Sequence, residues 1–95
     1  MGRMLAAGCV FVLMFVGAVR AALDQANELY QQGRYRDAIG AYRRALDIGA
    51  NPALAYFNLG NAYYQLDSLP AAIVAYEAAA REAGEFYRVH LNLGV

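Results

Sequence analysis

Asn58-Leu59-Gly60-Asn61-Ala62-Tyr63-Tyr64-Gln65, followed by Ala72-Ile73-Val74-Ala75-Tyr76-Glu77-Ala78-Ala79, is the stretch from which the fold can be read. Gly60, Tyr63, Asp67, Leu69, Ala72, Ile73, Tyr76 and Ala79 stand one constant step after Ala26, Leu29, Gly33, Tyr35, Ala38, Ile39, Tyr42 and Ala45. The same step carries Asn58-Leu59-Gly60 to Asn92-Leu93-Gly94. A constant period of about 34 residues marks stacked helix–turn–helix units, each burying an apolar face against the next.

Working outward, Leu23, Ala26, Leu29 and Tyr30 recur at three- and four-residue steps, which predicts a helix over residues 22–32. Gly33 is suited to the left-handed cap that ends it. Ala38, Ile39, Tyr42, Ala45 and Leu46 predict a second helix over 35–48, closed by Gly49. Asn51 and Pro52 suit the N-cap and first position of a third helix over 53–66. Ser68 caps a fourth that runs to about Ala83, where Gly84 ends it. A fifth starts near Glu85. The expected fold is an all-α solenoid of two repeats, residues 22–52 and 53–86, with the first helix of a third begun at 87–95. Small residues such as Ala26, Ala38, Gly60 and Ala72 let helices cross closely, and Tyr42 and Tyr76 fill the space between crossings.

The first twenty-one residues read differently. Met4 to Val19 carries no charge, and Arg3 and Arg20 flank it. A basic start, a short apolar run and the small-residue exit Val19-Arg20-Ala21-Ala22 describe an export signal cleaved after Ala21. The alternative is an uncleaved anchor that tethers the chain to a membrane. Sixteen residues give a helix of about 24 Å, against roughly 30 Å of hydrocarbon. Leu5-Ala6-Ala7-Gly8-Cys9 has the look of a lipidation box, but most of the apolar run follows Cys9 rather than preceding it. Export to the periplasm or another extracytoplasmic space is expected on either of the first two readings.

Cys9 is the only cysteine, so residues 22–95 offer no disulfide and no thiolate chemistry. Six arginines face eight acidic residues there, a net of −2, and lysine is absent. No basic footprint for nucleic acid exists. The only histidine is His90, the only serine Ser68, and threonine is absent. No nucleophilic triad can be assembled, and His90 with Glu82 or Glu85 falls short of the three or four ligands zinc needs. No enzyme activity, cofactor or metal is expected.

Leu59-Gly60 with Tyr63, and Ala72 with Tyr76 and Ala79, resemble the two helices of a tetratricopeptide repeat. The resemblance covers residues 22–94 and implies a scaffold for protein or peptide partners. It departs from the family at Gln25-Ala26, where Leu-Gly is usual, and in the late placing of Pro52. The wording Ala26-Asn27-Glu28-Leu29-Tyr30-Gln31-Gln32-Gly33, directly after an export signal, and Tyr56-Phe57-Asn58-Leu59-Gly60-Asn61-Ala62-Tyr63-Tyr64 also resemble exported repeat proteins of the bacterial aerotolerance operon. That would imply an envelope scaffold working with membrane-bound partners that carry von Willebrand A domains.

The first helices of such repeats line a concave face. Their outward positions here are Leu23, Asn27, Tyr30 and Gln31, then Leu54, Phe57, Asn61, Tyr64 and Gln65. Asn27 and Asn61, Tyr30 and Tyr64, and Gln31 and Gln65 are each one period apart, which suggests a ladder of amides and rings gripping a peptide. Tyr63 is expected in the core. For Tyr30, Phe57 and Tyr64, period alone leaves core and binding open. Some family members clamp a terminal carboxylate with cations and asparagines. Asn27, Asn58 and Arg88 match parts of that pattern, but Leu23 and Asn92 stand where cations belong, so a more apolar ligand is expected.

The apolar end of the chain, with Val89, Leu91 and Leu93, supports a different function. It suggests a self-assembling module, a homo-oligomer through this helix, or part of a longer repeat protein completed by another chain.

Overall fold

The computed structural model describes the backbone of residues 2–93 and the side chains of residues 10–85. Among the described residues there are four helices and no strand: α1 (Gly2–Gln31), α2 (Tyr35–Asp47), α3 (Pro52–Gln65) and α4 (Leu69–Leu93). Packing runs from each helix to the next in sequence, α1 on α2, α2 on α3 and α3 on α4. That is the pattern of a solenoid, in which every unit is held by its neighbours.

The turns follow from local chemistry. Gly33 takes φ +77°, and the Arg34 amide donates to the Leu29 carbonyl at 2.9 Å, closing α1 with a left-handed cap. Asp67 stands one period later and takes φ +58° in the same role, with the Ser68 amide donating to Tyr63 at 3.0 Å. An aspartate is among the few side chains that tolerate this region. Gly49, at φ +102°, closes α2, and the Ala50 amide donates to Ala45 at 2.9 Å. The Asn51 side chain then accepts from the Leu54 amide at 3.2 Å and Pro52 opens α3.

Two expectations are corrected. α4 does not end at Gly84; it continues unbroken to Leu93, so no separate fifth helix starts near Glu85. The reason shows in the matching turn one period upstream. Where the α2–α3 turn has Gly49, Asn51 and Pro52, the later register has Ala83, Glu85 and Phe86, which lack the left-handed cap, the amide cap and the imino acid. Gly84 itself is not in the left-handed region. α1, expected to begin near Ala22, begins at Gly2, because no proline or polar cap interrupts the apolar run before it.

The core is built mostly of alanine. Among the described residues, ten of the thirteen buried apolar ones are alanines, joined by Ile39, Tyr42 and Leu59. One cluster gathers Ala26, Ala38, Tyr42, Leu59 and Ala62 of α1, α2 and α3 with Ala75 of α4, flanked by Leu29, Tyr63 and Leu66. A second gathers Ala45, Ala50 and Ala55 at the α2–α3 turn, flanked by Val19, Ala22 and Leu23. Small side chains at the crossings let the backbones approach. At Gly60 the approach is closest: a Cβ there would meet the Tyr76 ring at 2.7 Å.

Candidate partner-binding face

The candidate face is built on one hydrogen bond made twice. The Tyr42 hydroxyl donates to the Asn27 side-chain oxygen at 2.5 Å, and the Tyr76 hydroxyl to that of Asn61 at 2.5 Å. Each bond ties the second helix of a repeat to the first. It commits the amide oxygens of both predicted contact asparagines to the fold, so a ligand could use only their N–H donors. Burial pushes the Tyr42 phenol above its usual range, with nearby Tyr30 adding to it. The Tyr76 phenol is raised by burial first, then by Tyr30 and Tyr64. Both therefore stay protonated as donors at neutral pH.

The other predicted residues divide into two groups. Leu23 and Tyr30 are half-buried and pack against the core. Tyr30 also meets the edge of Tyr35, with centroids 5.2 Å apart, and its hydroxyl accepts from Gln65 Nε2 at 3.4 Å. That long bond links the two repeats and occupies Gln65. Leu54, Phe57 and Tyr64, by contrast, are 50%, 50% and 58% exposed. With Asn61 they form one stripe along α3, at steps of three, four and three residues. Gln31 is exposed at the end of α1. Tyr63 is half-buried beside the core, and its hydroxyl accepts from Arg43, whose guanidinium lies 5.9 Å from the ring centroid.

Leu54 joins two grooves. On one side, a groove of about 440 Å³ brings Leu54 together with Leu23 and Asn27 and adds Val19, Arg20 and Asp24. On the other, a groove of about 590 Å³ runs from Leu54 and Phe57 onto Tyr76, Ala79, Ala80 and Ala83 of α4. The Phe57 and Tyr76 rings meet there at 5.8 Å, tilted by 53°. Sequence reading left out these α4 residues because it counted Tyr76 and Ala79 as packing. The opposite side of α3 lines a further groove of about 560 Å³, with Tyr56, Leu59, Tyr63, Val74 and Ala78.

The α4 groove is open because nothing among the described residues stacks on repeat 2. Ile39 is 8% exposed, whereas Ile73, its counterpart in the next repeat, is 55% exposed. No group of three or more potential metal-binding side chains occurs among the described residues. His90, Val89, Leu91 and Leu93 lie outside the residues whose side chains are described.

The family model described as Tetratricopeptide repeat matches residues 23–94. No curated protein matches the chain. The match concerns the repeat family as a whole and does not bear on the aerotolerance-operon resemblance.

Proposed function

The chain belongs to the tetratricopeptide repeat family, which generally serves as a non-catalytic scaffold for protein–protein interaction, and on that premise we propose that it is an exported adaptor. It binds a protein or peptide segment along the α3 stripe of Leu54, Phe57, Asn61 and Tyr64, continued by Leu23, Asn27, Tyr30, Gln31 and Gln65. The observation that carries this reading is the exposure of three large apolar side chains in one row, beside a groove onto α4. The fitting ligand is an amphipathic helix or extended segment with apolar anchors. The groove beyond Phe57 is walled by alanines and offers no cation for a terminal carboxylate. Membrane-bound proteins of the envelope are the partner class that export implies.

The test selects peptides on the full chain in mild detergent from an unbiased display library, then maps their binding. Phe57→Glu and Tyr64→Glu should each weaken binding at least tenfold, whereas Val74→Glu on the opposite groove should not. Binding lost with Val74→Glu but kept with Phe57→Glu would overturn the reading, as would failure to select any peptide.

Exposed Ile73 and Val74 support a second reading, in which another copy or another chain covers the outer face of repeat 2. On this reading Val89, Leu91 and Leu93 join the contact. Light scattering of the full chain should show a dimer or larger species that Leu93→Glu weakens, and a monomer at all concentrations would sink it.

A further inference from the structure

We propose that the N-terminal part of α1 is a membrane anchor that stays on the protein, fused without a linker to the first helix of repeat 1. Three observations carry it, and none depends on the partner reading. The first is exposure on every side. Val10, Phe11, Val12, Leu13, Met14, Phe15 and Val16 are seven consecutive helical residues, all 54–73% exposed. Seven residues make almost two full turns, so this apolar surface circles the helix. A protein partner covers one side of a helix; acyl chains cover all of it.

The second observation is the register. Repeat 2 opens at Ala53, directly after Pro52, and the equivalent residue in repeat 1 is Val19. Helix α1 runs unbroken through this register, so Val19 takes the place that Ala53 has near the head of α3, ahead of residue 23 where the family match begins. Val19 and Ala22 straddle the expected cleavage position, and both pack against the second cluster of Ala45, Ala50 and Ala55. Cleavage after Ala21 would remove Val19 from this cluster and expose the turn that joins the repeats.

The third observation is a contact further out. The Phe15 ring lies over Gly49, 3.2 Å from where a Cβ would stand, and Phe15, Val16 and Val19 share a groove with Leu23 and Leu54. The helix is therefore gripped by the repeat on one side as it leaves. Val10–Gln31 is long and apolar enough to cross a membrane, but Asp24 and Glu28 belong to the repeat. The part of the uncharged run that the repeat does not touch lies ahead of Phe15, and its described residues are Val10–Met14.

The experiment expresses the full chain with a C-terminal epitope in a bacterial host. The membrane fraction is washed with alkaline carbonate, and the intact mass of the recovered chain is measured. The expected result is a carbonate-resistant species whose mass includes the N-terminal residues. A product starting at Ala22, or full-length chain released by carbonate, overturns the proposal. A second measurement synthesises the chain without cells beside vesicles of phosphatidylethanolamine and phosphatidylglycerol. The full chain should float with the vesicles, and Val12→Arg with Leu13→Arg should reduce flotation at least tenfold. Equal flotation of both chains, or of neither, contradicts a membrane anchor. Neither readout depends on a peptide binding the repeats.

Discussion

Tyr42 and Tyr76 occupy the same place in successive repeats and donate the same hydrogen bond, yet their surroundings differ. Tyr42 is buried beneath repeat 2, whereas Tyr76 is half-buried against Phe57 with a groove on its outer side. Ile39 and Ile73 differ in the same direction. The two repeats have nearly the same apolar pattern, so the difference is not one of residue type. Within one repeat, the helix pair buries little more than its alanines. The large side chains are buried by the neighbour. Repeat 1 shows what the pattern does when covered, and repeat 2 shows the same pattern left as a surface.

The sharpest way to break this comparison is to truncate the tyrosines. Tyr42→Ala should cost about 3–5 kcal/mol, since it empties a buried site between repeats. Tyr76→Ala should cost clearly less, because part of that ring already faces solvent. Urea unfolding of the full chain in mild detergent, followed by helicity, measures both. Equal losses would contradict the asymmetry.

The close approach in repeat 2 gives a middle-sized effect. Gly60→Ala places a methyl against the Tyr76 ring and should destabilise by about 1–3 kcal/mol, although alanine is the better helix former. Ala26→Gly in the matching position should cost about 1–2 kcal/mol, from lost helix propensity and one buried methyl. If Gly60→Ala is instead stabilising in the same unfolding assay, the ring must move freely and the groove wall at Tyr76 is not fixed.

The hydrogen bonds sharpen the comparison further. Tyr42→Phe and Tyr76→Phe should each cost about 0.5–1.5 kcal/mol. The raised phenols also set a pH dependence. Above about pH 10 the unfolded chain releases phenolic protons that the folded chain still holds, so stability present below that pH falls as pH rises. Thermal midpoints at pH 8, 10 and 11 should fall in that order, and Tyr42→Phe should flatten the fall. A midpoint that rises with pH would show that the phenols are not held in their neutral form.

The smallest effect lies in the turns. Asp67 holds a left-handed conformation that Gly33 adopts without strain, so Asp67→Gly should stabilise by about 0.5–1 kcal/mol and Gly33→Asp should do the reverse. No change in urea midpoint for either would mean that the Asp67 side chain offsets the backbone cost.

These residues also show how far a sequence can be read. Alanine, glycine and tyrosine recurring at one fixed period specify helix crossings, so the solenoid and its first three turns were legible. Gly84 misled because a glycine marks a helix end only when the residues around it also stop the helix. Ala83, Glu85 and Phe86 do not, so α4 runs on. On the α3 stripe, Leu54 was read as outward, while period left Phe57 and Tyr64 open between core and surface; their exposure comes from the structure. The use of Asn27 and Asn61 was not legible, because a Tyr–Asn bond across 15 residues depends on how two helices are rotated, which period leaves open. The α4 wall of the groove was missed for a related reason. Tyr76 and Ala79 carry the pattern of packing residues, and how far the Tyr76 ring is covered depends on what stacks against it.

Native-state hydrogen exchange on the full chain tests the comparison most directly. α2 lies between α1 and α3, whereas α4 packs chiefly on α3. The account predicts that amides of α2 exchange at least tenfold more slowly than those of α4 over residues 72–83, because α4 gives the first cluster only Ala75 whereas α2 gives it Ala38, Ile39, Ala41 and Tyr42. Equal protection, or greater protection in α4, would mean that repeat 2 is as well covered as repeat 1, and the open groove would not exist in solution.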